Sequence, residues 1–238
     1  MKFKLNELLL AFLCLSFIGV NAQSYNKLSN SLDLVIGADF GYRTINMDPA
    51  FGEFLFQQEN RAKLERPQAN YRIGLNYIQG LSSSWALKTG IRYATAGFNI
   101  SSVEAFDISQ DINLIDKNFS VLGSDYKYNY RFIEIPVGLR YVFNKSFCDP
   151  FIEFGIATNI YQHTQIFQDG NRELTKKESI NKFNYFGYLS LGGDFEINDR
   201  LRGFTQLMGR YQFNKLRKGP LEERAVSLGL ETGLRFHF

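Results

Sequence analysis

The residues that most often carry acid–base or metal chemistry are few in this sequence. It contains two histidines, His163 and His237, and two cysteines, Cys14 and Cys148. The pattern places His163 in a loop, His237 inward near the end of the chain and Cys148 in a short turn, so no metal-ligand spacing is formed. Neither a nucleophile elbow nor a phosphate-cradling glycine loop is recognisable. We expect no catalysis, no metal and no other cofactor, and we keep a lipase- or protease-type hydrolase that uses His163 as an alternative.

Acidic and basic residues are numerous, and many of them occupy alternate positions within apolar segments. Twelve share this placement: Asp33, Asp39, Arg72, Lys88, Arg92, Glu134, Arg140, Glu153, Arg202, Arg210, Glu231 and Arg235. On the inner face of a closed sheet they could form a selective pore or a proton path. They could also form a structural ion-pair network, because a charge buried alone costs several kcal/mol. We favour the network, because a narrow barrel leaves little open bore.

The charge balance argues against nucleic acid as a partner. Lys and Arg together number 27 and Asp and Glu 24, for a formal net charge of +3. Nucleic-acid binding proteins usually concentrate basic residues on one face. Here the two signs alternate along the chain, so no basic face is expected.

The elements that would position the twelve charges are strands. Apolar residues stand at every second position from Leu32 to Tyr42, with Asp33, Gly37 and Asp39 among the residues between them. Successive side chains of a strand point to opposite faces. The alternation recurs near residues 71–77, 85–93, 133–141, 152–157, 184–195, 201–213 and 226–238. It predicts about eight strands of about 10 residues, the length that crosses a bilayer at a tilt.

The predicted connections alternate between long and short. Long segments cover residues 44–69 and 99–127 and a stretch that ends near residue 178, and a moderate loop surrounds Gly219. Short turns fall near residues 79–84, 144–149 and 198–200. Transmembrane barrels of bacterial outer membranes show this asymmetry, with short periplasmic turns and longer outer loops. With an even number of strands, both termini are expected on the periplasmic side.

Three features predict that the apolar face points outward into lipid. Glycines share the polar face with long charged side chains, which suits a crowded interior. Phe238 lies on the apolar face at the end of the last strand. Aromatic residues cluster near strand ends, where a membrane interface favours them: Tyr42, Tyr77, Trp85, Tyr93, Tyr128, Tyr130, Tyr141 and Phe143. The fold class is therefore an all-β, transmembrane, antiparallel up-and-down barrel. The alternative is a soluble ligand-binding barrel with its apolar face inside.

The first 22 residues have the order of a secretory signal peptide. Lys2 and Lys4 give a basic start, residues 8–20 are mostly apolar, and Ala22 precedes the expected cleavage point. The apolar run is shorter than the roughly 20 residues of a transmembrane helix. We expect residues 1–22 to be removed and residues 23–238 to form one barrel domain.

Two segments resemble known outer-membrane proteins. The end of the chain, Leu234-Arg235-Phe236-His237-Phe238, is similar to the terminal assembly signal of bacterial outer-membrane barrels, with Leu234, Phe236 and Phe238 at the alternate positions. Residues 131–141, RFIEIPVGLRY, resemble the middle strand of the Bacteroidetes-type outer-membrane β-barrel family, often labelled PorT-like. The resemblance implies location in the outer membrane of a Gram-negative bacterium, contact with its lipids and assembly by the barrel-assembly machinery. A PorT-like protein would in addition serve type IX secretion.

Three further features are left with two interpretations each. Pro136 interrupts a strand pattern and could mark a local bulge, which we predict because proline removes a ladder donor, or a binding role. An acidic segment with Glu104, Asp107, Asp111 and Asp116 could bind calcium or a partner, or form a solvated loop, which we prefer. An apolar segment with Phe51, Phe54, Leu55 and Phe56 could contact a partner or pack on the barrel rim.

The sequence as a whole predicts a non-enzymatic outer-membrane barrel with a plugged lumen and long outer loops. Its role would be in envelope structure or in binding a protein partner through those loops. The alternatives are a narrow transport channel and an accessory of a secretion machine.

Overall fold

The computed structural model describes residues 30–47, 65–100, 126–143, 148–168, 171–175, 180–217 and 221–238. Nine strands occupy most of these residues: β1 (Ser31–Met47), β2 (Glu65–Gly80), β3 (Trp85–Ile100), β4 (Tyr126–Val142), β5 (Cys148–Gln168), β6 (Asn171–Thr175), β7 (Phe183–Asn198), β8 (Leu201–Gln212) and β9 (Leu221–His237). In this part of the chain, no helix has the length and hydropathy of a transmembrane span.

Several predictions concern residues outside the described ranges. They are the signal peptide of residues 1–22, the acidic segment with Glu104, Asp107, Asp111 and Asp116, and the apolar segment with Phe51, Phe54, Leu55 and Phe56. These stay predictions.

Eight of the strands close into one barrel, and every neighbouring pair is antiparallel. The order around the barrel is β1-β2-β3-β4-β5-β7-β8-β9, and β9 returns to β1 in a ladder from Met47↔Leu221 to Ser31↔His237. The short β6 pairs with the far end of β5, from Thr164↔Thr175 to Gln168↔Asn171. The structure therefore confirms the predicted up-and-down barrel of about eight strands.

The two ends of the barrel differ in their connections. At the turn end, residues 81–84 join β2 to β3, and residues 199–200 join β7 to β8. The second turn is closed locally, since Oδ1 of Asn198 accepts the backbone N–H groups of Arg200 at 3.0 Å and Leu201 at 2.9 Å. The loop end carries the long connections of residues 48–64 and 101–125. Strands of 12 to 21 residues exceed the predicted length because several continue past the apolar belt towards the loop end.

The apolar face points outward, as the alternation predicted. Along β1, buried and exposed residues alternate from Ser31 to Arg43 without interruption. Ile36 is 56% and Phe40 67% exposed, while Asp33 is fully buried. Similar rows on the other strands form a belt of exposed apolar side chains around the barrel. The soluble alternative requires the opposite orientation and is therefore wrong.

The bulge predicted at Pro136 is absent, and that prediction was wrong. On one side β4 runs in register with β5 through Pro136↔Ala157, and on the other the register with β3 is the same at Thr89↔Val137 and Arg92↔Glu134. The ladder to β3 tolerates one missing donor without an extra residue. Among the described strand pairs, the register shifts lie at Pro67/Arg72, Arg131/Phe132 and Glu196/Asn198.

Candidate functional site: the barrel interior

Acidic and basic side chains fill the turn-end half of the lumen as one connected group. We call it the turn-end cluster: Asp33, Lys88, Arg140, Glu153, Asp194 and Arg235. Glu153 is shared, since one of its carboxylate oxygens contacts Nζ of Lys88 and the other lies 2.8 Å from Nη2 of Arg140. Arg235 donates to both oxygens of Asp33, at 2.8 and 3.0 Å, and to Asp194. Residues from β1, β3, β4, β5, β7 and β9 are thereby joined.

A second group lies nearer the middle of the barrel. This central cluster contains Asp39, Arg72, Arg92, Glu134, Arg210 and Glu231. Arg92 donates to both oxygens of Glu231, at 3.0 and 3.1 Å, and reaches Glu134 at 3.5 Å. Glu134 also accepts from Arg210, and Arg72 lies 3.0 Å from Asp39. Two-point arginine–carboxylate contacts are the strongest form of this interaction.

The two clusters are electrically balanced. Each combines three cations with three anions. Burying charges is expensive, and the cost is offset only where each charge has close partners of opposite sign. The interior therefore resembles a neutral plug held by polar contacts rather than a lining of one sign that would attract one class of ion.

Aromatic side chains fill the space between the charges. The guanidinium of Arg140 lies 4.0 Å from the ring centre of Phe151, and that of Arg210 lies 4.7 Å from Phe186. Such cation–π contacts are stronger where water is excluded. Phe204 lies on the same face of β8 as the inward Arg210, and it is buried there, packed with Phe151.

A buried apolar group of five aromatic and two aliphatic residues closes the loop end of the lumen. It consists of Phe98, Tyr128, Tyr130, Phe132, Tyr161, Ile180 and Leu216, and we call it the aromatic cap. Arg43 stacks on Phe98 at 3.8 Å, and Arg217 donates to the Tyr130 hydroxyl at 2.8 Å. The pKa of Arg217 is raised above its ordinary value, mainly by Tyr130 and to a smaller extent by Glu223, while burial opposes the shift.

The prediction that Tyr128 and Tyr130 lie in the interfacial belt was wrong. Both are buried inside the barrel, whereas Tyr42, Trp85 and Phe143 are exposed. Tyr128 and Tyr130 occupy even positions of β4, the positions that also carry the inward Glu134. Position in the strand alternation therefore outweighs the preference of tyrosine for a membrane interface.

The structure brings most of the twelve predicted charges together in the lumen. All are buried except Arg202, whose side chain is 27% exposed at the turn-end rim, 2.7 Å from Asp149. Three contributors were missed by sequence reasoning. Asp194 completes the turn-end cluster, and Arg43 meets Glu223 at 2.8 Å under the aromatic cap. Glu223 was missed because the last strand begins five residues earlier than the predicted start at residue 226.

A small cavity remains between the central cluster and the aromatic cap. Its volume is about 40 Å³, and its lining includes Asp39, Asn70, Asn159, Phe132 and Arg210. A water molecule needs about 10–15 Å³ of such space and polar neighbours. The cavity therefore suits one or a few waters and is far too small for a nutrient-sized solute.

The remaining chemistry-bearing residues are spread apart. His163 lies in β5 opposite Arg131, and not in a loop as predicted. His237 ends β9, and Cys148, an exposed free thiol, begins β5 instead of lying in a turn. Among the described residues, no three histidine, cysteine or acidic side chains form a group that could hold a metal ion.

The three residues of the predicted assembly signal lie on the lipid-facing side of β9. Leu234 pairs with Leu34 and Phe236 with Leu32, in the seam that closes the barrel. Phe238 is exposed and stacks on Tyr77 with ring centres 6.5 Å apart.

The chain matches one protein family and is similar to several solved structures. A family model described as outer membrane protein beta-barrel domain matches residues 19–214. The chain is similar to the crystal structure of OprG from Pseudomonas aeruginosa, with 12% identity, a TM-score of 0.44 and coverage of 90% of this chain and 97% of that one. It is also similar to Neisserial surface protein A, with 11% identity, a TM-score of 0.41 and coverage of 86% and 97%.

A third similar structure is the outer membrane protease OmpT from Escherichia coli, with 10% identity, a TM-score of 0.47 and coverage of 92% of this chain and 99% of that one. Likenesses of this degree concern the fold and carry no argument about activity. None of the curated protein sequences is significantly similar to the chain.

Proposed function

The chain belongs to the outer membrane protein beta-barrel domain family, and on that premise we propose that it is a non-enzymatic, non-conducting barrel that acts through its loop end. In an outer membrane this end faces outward and the turn end faces the periplasm. The role is then one of envelope structure or of binding a protein partner outside the membrane.

The filled lumen is the observation that carries this proposal. Twelve paired charges occupy the turn-end and central clusters, and the aromatic cap lies beyond them. An ion entering this interior would have to break contacts between buried guanidinium and carboxylate groups, and leaving one buried charge without its partner is costly. In these contacts the acidic and basic side chains already bind one another. An enzyme would need such groups to be accessible to its substrate.

Planar-bilayer recording on the purified, folded protein tests the proposal. We expect no steady conductance from the natural protein. The double variant Arg92→Ala/Glu231→Ala removes one cation and one anion, so the lumen stays neutral while its central contact is lost, and we expect intermittent opening. Steady, ion-selective conductance from the natural protein would contradict the proposal and favour the narrow transport channel.

A finer assignment, to PorT-like accessories of type IX secretion, rests on the resemblance of residues 131–141. The geometry adds no observation that favours it. A deletion strain of the source organism that secretes normally would argue against this assignment, whereas loss of secretion restored by the natural gene would favour it over a purely structural role.

We further propose that residues 1–22 direct export and that the barrel-assembly machinery recognises Leu234, Phe236 and Phe238. In the assembled barrel Leu234 and Phe236 point to lipid beside β1, where their replacement by alanine leaves the lumen contacts intact. The double alanine variant should therefore accumulate unassembled in cells and yet refold in detergent. Failure in both settings would assign the two residues to stability alone.

A further inference from the structure

The lipid-facing wall has a groove where β7, β8, β9 and β1 lie side by side. Its volume is about 690 Å³, and six side chains form much of its lining: Phe40, Leu189, Leu191, Leu207, Tyr211 and Leu228. Gly209 lies in one row with Leu189 on β7 and Leu228 on β9, and a Cβ added to Gly209 would meet nothing within 4 Å. The missing side chain therefore leaves a gap in an otherwise continuous apolar belt.

Polar groups stand at the loop-end side of this groove. Arg224 lies two positions beyond Val226, which also lines the groove, and its Nη1 donates to the Tyr211 hydroxyl at 3.1 Å. Glu222 lies between two cations, with its carboxylate 2.7 Å from Nζ of Lys215 and 3.4 Å from Nη2 of Arg224. The rim therefore carries two positive charges and one negative charge, all partly exposed.

The hydrogen bonds at this rim shift the pKa values of two of its three charged groups. A hydrogen bond from Lys215 lowers the pKa of Glu222, and the hydrogen bond with Tyr211 raises the pKa of Arg224. Both shifts favour the charged forms of Glu222 and Arg224, and the rim as a whole carries one more positive than negative charge.

We propose that this groove binds one phosphorylated lipid of the outer leaflet, with an acyl chain over Gly209 and a phosphate at Arg224 and Lys215. The groove supplies apolar walls at the depth of the acyl chains, and the cations stand at the depth of the headgroups. Guanidinium and ammonium groups at a membrane surface favour anionic lipid headgroups and form charge-assisted hydrogen bonds with phosphate. The volume lies within the roughly 300–1,000 Å³ of small-molecule clefts.

Glu222 makes the site selective. Its carboxylate competes with the lipid phosphate for Lys215 and Arg224. Only a headgroup that binds both cations strongly can therefore displace the Glu222 carboxylate. Replacing Glu222 by glutamine should consequently tighten binding, whereas removing the two cations should weaken it. Opposite effects at neighbouring residues distinguish a headgroup site from a general loss of structure.

Native mass spectrometry on the full-length folded protein in detergent tests the proposal, with lipid A, phosphatidylethanolamine and inorganic phosphate as probes. We expect one lipid A molecule to be retained, with at least about tenfold weaker retention for Lys215→Gln/Arg224→Gln and tighter retention for Glu222→Gln. Gly209→Leu should weaken binding by filling the groove. Ala38→Leu adds the same side chain to the lipid-facing side of β1, outside the groove lining, and should change nothing.

Three results would overturn the proposal. If phosphatidylethanolamine is retained as well as lipid A and the charge variants change neither, the bound molecules are non-specific lipids that surround any barrel. Retention of inorganic phosphate with no effect of Gly209→Leu would mean an anion site without an acyl chain. A dimer of the natural protein that is absent from the Gly209→Leu variant would mean that a second copy of the chain covers the groove. Gel migration before and after boiling establishes that each variant is folded.

Discussion

Arg92 and Glu231 meet across the lumen although their strands are not neighbours. Nη1 and Nη2 of Arg92 lie 3.0 and 3.1 Å from the two oxygens of Glu231. Their strands, β3 and β9, are separated by β2 and β1 in the barrel order. Gln206 on β8 donates to the same carboxylate at 2.9 Å. Glu231 therefore connects β3 to β8 and β9, neither of which shares a backbone ladder with β3.

Neutralising Glu231 should destabilise the barrel strongly. Glu231→Gln leaves the buried Arg92 without its two-point partner and gives the lumen an excess positive charge. Breaking a buried pair from one side typically costs about 3–5 kcal/mol. We expect a loss of this size in the free energy of unfolding, measured by urea titration of the protein in lipid vesicles.

The matched control is Glu196→Gln. The Glu196 side chain is 60% exposed and 3.9 Å from Arg202 at the turn-end rim. Exposed pairs contribute about 0–1 kcal/mol, so this variant should unfold close to the natural protein. Equal losses for the two variants would mean that the lumen contacts contribute little to stability.

Two glycines on adjacent strands should respond oppositely to alanine. A Cβ on Gly229 would lie 2.6 Å from the Cα of Asp39, in the ladder between β9 and β1, whereas Gly209 faces open space. Overpacking of this kind costs about 1–3 kcal/mol. Gly229→Ala should lower the free energy of unfolding by that amount, and Gly209→Ala should leave it unchanged or raise it slightly. If Gly229→Ala leaves the free energy of unfolding unchanged, the ladder between β9 and β1 can shift to accommodate the added Cβ.

Removing the Tyr130 hydroxyl should loosen the aromatic cap. Tyr130→Phe deprives Arg217 of an acceptor at 2.8 Å, and hydrogen bonds to charged groups contribute about 1.5–3 kcal/mol. We expect a loss at the lower end of that range, because Glu223 remains 3.3 Å from Arg217. Tyr42→Phe, on the exposed lipid-facing surface, is the control and should have little effect.

Cysteine labelling in intact cells should report the orientation of the barrel. Cys148 is exposed at the turn end, and Glu173 is exposed on β6 at the loop end. A membrane-impermeant maleimide should leave Cys148 unmodified until the outer membrane is permeabilised. It should label Glu173→Cys, in a Cys148→Ser background, at once. The reverse order would invert the proposed orientation.

The local alternation was sufficient to predict the strands and their faces. A strand repeats every two residues, so the positions of Leu34 and Asp33 identify an apolar and a polar face without any knowledge of their neighbours. The same rule predicted a polar interior containing Arg92 and Glu231. The rule also holds at Tyr130, where the preference of aromatic residues for the interface gives the wrong face. At Pro136 the missing ladder donor does not require a bulge.

The partners across the lumen were decided only by the tertiary structure. Alternation says that Arg92 faces inward, but the distance from Arg92 to Glu231 depends on how eight strands are staggered when the sheet closes. The stagger is a property of the whole ring of ladders, to which every strand contributes. For the same reason, the aromatic cap and the groove at Gly209 have no signature in any single segment, since each is assembled from several strands.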